Sequence, residues 1–132
     1  MTNPAPFRQP DASADSPLSY ERFDVYRVAL EFQALVPALA PGRGHGSLRD
    51  QLYRASTSIL LNVAEGCGRS LRGEKASFYS IARGSAMECG AALDVLLSRG
   101  LIEAAAHRHA RGLLVRVTQM LTKLILRMQP CP

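Results

Sequence analysis

Two polar pairs sit at helical spacing near the middle of this chain, Asn62 with Glu65 and Ser85 with Glu88. Residues three apart are neighbours on a helix. With Arg83 nearby, such a cluster could hold a general acid or base. The set goes no further, because no histidine, cysteine pair or second carboxylate lies at a spacing that completes a nucleophilic or metal site. His45 belongs to a glycine-rich loop, and His107 and His109 are two apart, so they do not share a helix face. Cys67, Cys89 and Cys131 are odd in number and lack the paired spacing of a disulfide framework or zinc site. They read as reduced thiols of a cytoplasmic protein. The segment P-G-R-G-H-G (Pro41–Gly46) lacks the lysine and Ser/Thr of a phosphate-binding loop and follows no strand, so it reads as a connector. The expectation is a non-enzymatic protein with no catalytic residue, no cofactor, no metal and no evident small-molecule substrate. Gln51, Ser58, Asn62, Glu65, Arg69, Arg83 and Glu88 then form a structural polar network that satisfies helix ends and fixes subunit register.

The elements that carry these residues are helices. Residues 1–19 hold Pro4, Pro6, Pro10 and Pro17 with little apolar surface and read as a flexible tail. One domain follows over 20–129, with helices expected at about 20–38, 47–66, 73–99 and 103–128. In the first, Val25, Val28, Phe32, Leu35 and Val36 share a face, Phe23, Tyr26 and Leu30 form a second group, and Pro37 and Pro41 are expected to end it. Ser47-Leu48-Arg49-Asp50 has the pattern of a capping box for the second helix, and Gly66-Cys67-Gly68 is expected to stop it. At 100° per residue, Leu48, Leu52, Ala55, Ile59 and Val63 form one stripe of that helix. Tyr53, Leu60, Leu61 and Ala64 lie on another side, where a lone amphipathic helix should be polar. A helix apolar on two sides must be buried on two sides, and in so short a chain a second subunit most simply supplies the second burial. The third helix aligns Phe78, Ile81, Ala82, Ser85, Cys89, Leu93 and Leu96, and its interior glycines, Gly84 and Gly90, suggest a closely approaching backbone. Met87 leaves that stripe beside Arg83 and Asp94, as a subunit contact or a lone exposed methionine. After Gly100, the fourth helix aligns Leu113, Leu114, Val117, Met120, Leu121, Leu124, Ile125 and Met128, with cations on the opposite half. The architecture expected is an all-α, antiparallel up-down-up-down four-helix bundle.

At 132 residues, 47% hydrophobic and 20% charged, the chain fits one globular domain. No apolar run approaches the roughly 18–20 residues of a membrane span, and the N-terminus lacks the pattern of a secretory signal. Of the net charge of +5, +4 falls in residues 101–132, where Arg108, Arg111, Arg116, Lys123 and Arg127 face one acid, Glu103. That placement suits a polyanion partner without requiring one.

R-A-S-T-S-I-L-L-N-V-A-E-G-C-G-R (Arg54–Arg69) followed by E-K-A-S-F-Y-S-I-A-R-G-S-A-M-E-C (Glu74–Cys89) resembles the four-helix-bundle proteins of the 23S rRNA intervening-sequence family. The accessory variability determinant of diversity-generating retroelements is a relative. The resemblance spans about Phe23 to Met128 and implies bundles assembled into a five-membered ring, which agrees with the subunit interface expected from the helix faces at Tyr53, Leu60, Leu61, Ala64 and Met87. It also implies that retroelement relatives present a basic surface to nucleic acid and to a reverse transcriptase. This chain departs from the common pattern at Ala104–His109, which is more positive than usual. Two readings follow. One is an oligomer that holds nucleic-acid backbone through Arg72, Lys75, Arg108, Arg116, Lys123 and Arg127; the other is a protein-interaction scaffold ring with an ordinary solvated basic face. No aromatic interleaves those cations, so base stacking is not indicated.

Overall fold

Apolar residues recurring every three or four positions build four helices, α1 (Asp24–Leu39), α2 (Gly46–Gly68), α3 (Arg72–Ser98) and α4 (Ala104–Met128). The computed structural model describes Leu18, Tyr20 and residues 23–128. The tail expected over 1–19, apart from Leu18, lies outside the described residues, as do Cys131 and the prolines at the C-terminal end. The helices pack in a closed circuit, α1 on α2, α2 on α3, α3 on α4 and the last back on the first, which is the packing of a four-helix bundle. No strand occurs among the described residues.

The core is continuous through the bundle. Phe32 and Val36 of α1, Leu52, Ile59 and Val63 of α2, Tyr79, Cys89, Leu93 and Leu96 of α3, and Val117 and Leu121 of α4 are all essentially inaccessible. Burying each such side chain contributes about 1.5–3 kcal/mol relative to leaving it in water. The core stripe of α3 differs from the expected one. Ile81 is 49% exposed, and Tyr79, 1% exposed, takes the inner position. The inner arc of α3 is centred on Ala82, Ala86 and Cys89, with Ile81 at its outer edge.

Helix ends depart from the expected caps for identifiable reasons. α1 begins at Asp24, because the chain turns at Tyr20, whose carbonyl accepts from Phe23 N at 3.0 Å, and is extended at Phe23. Pro37 does not end α1 but lies within it, with Ala40 N still donating to Val36 O at 2.7 Å. A proline forfeits one hydrogen bond, and here only part of a turn remains. The capping box does not form, since α2 starts one residue earlier, after His45, with no side-chain cap, and Ser47 lies inside the first turn. At the other end α2 runs through Gly66 and Gly68, and neither glycine turns left-handed. Lys75 replaces that device. Its ammonium donates to the carbonyls of Gly66 at 3.1 Å and Cys67 at 3.0 Å, groups a helix end otherwise leaves without partners. α3 closes as its sequence indicates, with Gly100 at φ +69°, its N–H on Leu97 O and Leu101 N on Leu96 O. That is a Schellman turn.

Candidate nucleic-acid interface

The expected polar network resolves into separate pieces held by different helix pairs. Between α2 and α3, the hydroxyls of Ser58 and Ser85 share a hydrogen bond of 2.8 Å, and Asn62 Nδ2 donates to Ser58 O at 2.8 Å and to its Oγ at 3.0 Å. Asn62 therefore serves the α2 backbone and the helix seam. At the α2–α3 connection, Arg69 lies 3.5 Å from Glu65 and 3.7 Å from Glu74, and its guanidinium sits 4.8 Å from the Phe78 ring centre. These groups are exposed, so the ion pairs are worth little and mainly orient Arg69. Arg83 turns the other way, toward α4, and donates to Thr122 Oγ1 at 3.2 Å. Gln51 and Glu88 have no side-chain hydrogen bond or ion pair among the described residues. No pair of these groups aims a base at a nucleophile, and among the described residues no three His, Cys, Asp or Glu side chains are grouped as metal ligands.

The residues expected at a subunit interface are divided as well. Leu60 is only 7% exposed and belongs to this chain's own core, while Tyr53 packs partly against that core and Ala64 is half-buried. The reason lies in the position of α1. Gln33 Nε2 donates to Thr57 Oγ1 at 3.0 Å, so α1 covers the side of α2 that carries Tyr53, Thr57 and Leu60. The second apolar side is thus largely satisfied internally. Leu61, at 63%, and Met87, at 60%, remain open.

Of the cations expected to meet nucleic acid, Lys75 is committed to the end of α2, and Arg72 stands exposed in the first turn of α3. Arg108, Arg116, Lys123 and Arg127 are exposed along α4, and none makes an ion pair among the described residues. Arg116, Lys123 and Arg127 fall within about 40° of one another round the helix, spaced by about 10 and 6 Å along its axis. Arg108 is turned away from that line by at least about 60°. Asp24 of α1 adjoins Lys123 and Arg127 across a shallow groove, which tempers the positive field at that end.

Sequence reasoning missed the contact between Gly66 and Tyr79. A Cβ at Gly66 would lie 2.5 Å from Tyr79 Cε1, so the ring packs directly on the helix backbone. The Tyr79 hydroxyl reaches Cys67 Sγ at 3.7 Å. The G-C-G run followed by Tyr79 carried the signal, but it reads equally as a helix stop.

The chain matches the profile of the 23S rRNA-intervening sequence proteins over residues 21–123, nearly the whole helical region. It belongs to that family. No curated protein matches the chain. For this intervening-sequence protein, no helix among the described residues is long and apolar enough to cross a membrane.

The buried thiol of Cys89 is expected to make the intervening-sequence protein sensitive to alkali. Burial, and then the neighbouring Glu88 carboxylate, push the Cys89 thiol from 9.0 up to about 12. Burial also raises Cys67 and Tyr79 above their ordinary values. In the unfolded chain a thiol ionises near 9.0, whereas folded Cys89 keeps its proton to about 12. The native state then binds more protons, so the stability present below about pH 9 is lost as the pH rises toward 12. Thermal melts across this range should show that decline. Cys89→Ala should flatten it, and an unchanged slope in that variant would count against the assignment.

Proposed function

We propose that this intervening-sequence protein is a non-enzymatic cytoplasmic homo-oligomer, a ring of antiparallel bundles, that holds nucleic-acid backbone on the outer stripe of α4. The observation that carries the reading is the set of exposed cations, Arg108, Arg116, Lys123 and Arg127, that lack ion-pair partners among the described residues. Three other cations are engaged within the bundle, Lys75 on carbonyls, Arg69 between two carboxylates and Arg83 on Thr122. Unpaired cations along one helix offer phosphates a set of charge contacts, and repetition round a ring multiplies them. The family description, which places these proteins with insertions in 23S rRNA, agrees with an RNA partner.

A second reading, a scaffold ring that binds no nucleic acid, draws support from Asp24 beside Lys123 and Arg127 and from the lack of aromatic residues on α4. Fluorescence anisotropy with labelled RNA and duplex DNA at two salt concentrations separates the two. Binding at micromolar protein that weakens steeply with salt is the expected result. Its absence for both ligands would leave the scaffold.

A further inference from the structure

Two histidines stand two residues apart near the start of α4, and the fold treats them differently. His107 turns toward α3, where its Nε2 lies 2.9 Å from Asp94 Oδ1 and its side chain is 13% exposed. His109 points about 160° away round the helix. It is exposed, with no hydrogen bond or ion pair among the described residues. Its direction is that of the α4 cations. His109, Arg116, Lys123 and Arg127 all fall within about 40° of one another and extend over about 27 Å of helix. Arg108, the cation beside it, lies outside that line. Over the first three turns of α4, then, His109 is the chargeable side chain that continues the stripe.

We propose that His109 is a fourth phosphate contact of this stripe, made only when its imidazole is protonated, so that acid strengthens nucleic-acid binding. The inference rests on the nucleic-acid reading of α4 and adds to it one contact and a dependence on pH. Histidine is the side chain that ordinarily changes charge between about pH 5 and 8, whereas arginine and lysine stay charged throughout that range. A protonated ring donates from both nitrogens, and a phosphate beside it favours the charged form. Binding then takes up a proton, and the contact is lost as the pH rises through the titration of the ring. The bundle supplies no carboxylate that would occupy the ring instead. On α1 the titratable groups are Asp24, Tyr26, Arg27 and Glu31, all in its first half, and Asp24 meets α4 at the opposite end, beside Lys123 and Arg127. On α3, Asp94 is held by His107 and borders Arg111, and Arg99 closes the helix. Glu103 precedes α4, about a turn and two-thirds before His109. α2 does not pack on α4. On its own helix the nearest charges of His109 are Arg108 and Arg116, which a phosphate would meet as well.

Fluorescence anisotropy of the full chain with labelled duplex DNA tests this, at about pH 7.5 and about pH 5.5, each over a series of salt concentrations. At about 0.1 M salt the wild type should bind roughly 5–10-fold tighter in the acid buffer, and the slope of log K against log salt should steepen by about 0.9. His109→Gln should bind equally at both pH values, with the shallower slope. His109→Arg should show the steep slope at both, because its charge does not follow pH. The side chain is exposed, so circular dichroism of both variants should match the wild type at each pH. His107→Gln and His45→Gln should keep the wild-type response, which separates a local contact from a general gain of positive charge in acid. The assignment is overturned if His109→Gln retains the acid response, or if either of the other two histidine variants abolishes it. Salt-dependent binding that is indifferent to pH removes the fourth contact alone. No salt-dependent binding at either pH removes the nucleic-acid reading together with it.

Discussion

Replacing Gly66 with valine is expected to destabilise the protein by about 3 kcal/mol or more, and with alanine by about 1–2 kcal/mol. The added Cβ would lie 2.5 Å from Tyr79 Cε1 and 2.8 Å from Cδ1, well inside contact distance. Tyr79 cannot yield easily. It is 1% exposed within the core, and its hydroxyl reaches the Cys67 sulfur. Alanine also gains helix propensity worth about 1 kcal/mol, which offsets part of the clash, while the two γ-methyls of valine add bulk against the same ring. Urea denaturation at constant m-value measures the loss. Gly84→Ala is the matched contrast, since a Cβ there meets nothing within 4 Å, and it should gain up to about 1 kcal/mol. Equal losses at both positions would show that the Tyr79 contact is not what selects glycine at 66.

That contrast also shows where the sequence is legible and where it is not. Periodicity places the four helices and most of the core, because a bundle buries one arc of each helix and the arc appears as a stripe in the sequence. It fails at the edges of the arc. Ile81 and Tyr79 are both large and adjacent to the stripe on α3, and only the packing of α3 against Gly66 determines which turns inward. Leu60 is lost to the interface for a similar reason, since a helix in a square bundle has neighbours on two flanks and hides more than a single stripe. Glycine at a helix end is equally ambiguous. Gly100 adopts the left-handed turn, whereas Gly66 and Gly68 stay helical because the ammonium of Lys75, a residue of the next helix, satisfies the carbonyls that a left-handed turn would serve. A long-range side chain substituting for a local cap leaves no mark in the residues that are capped. The α4 cations, by contrast, were legible, because exposed charge on the polar half of an amphipathic helix needs no partner to be found.

Those cations give the largest expected effect on binding. Removing charge from Arg116, Lys123 and Arg127 together, each to glutamine, should weaken RNA and DNA binding on the order of 10²–10³-fold at about 0.1 M salt, since three lost duplex phosphate contacts carry a slope of about 0.9 each in log K against log salt. The slope itself should fall by nearly 3 for duplex DNA and by about 2 for single strands. Total charge alone does not produce this result. Arg43, Arg49 and Arg99 are also exposed and without ion pairs among the described residues. Their triple glutamine variant has the same net charge, so it should retain most of the affinity and the slope. If that control loses as much as the α4 variant, the protein attracts polyanions through its overall field and the stripe is not the site. The two slopes decide this more firmly than the affinities, because a slope counts contacts and is insensitive to a modest change in fold stability.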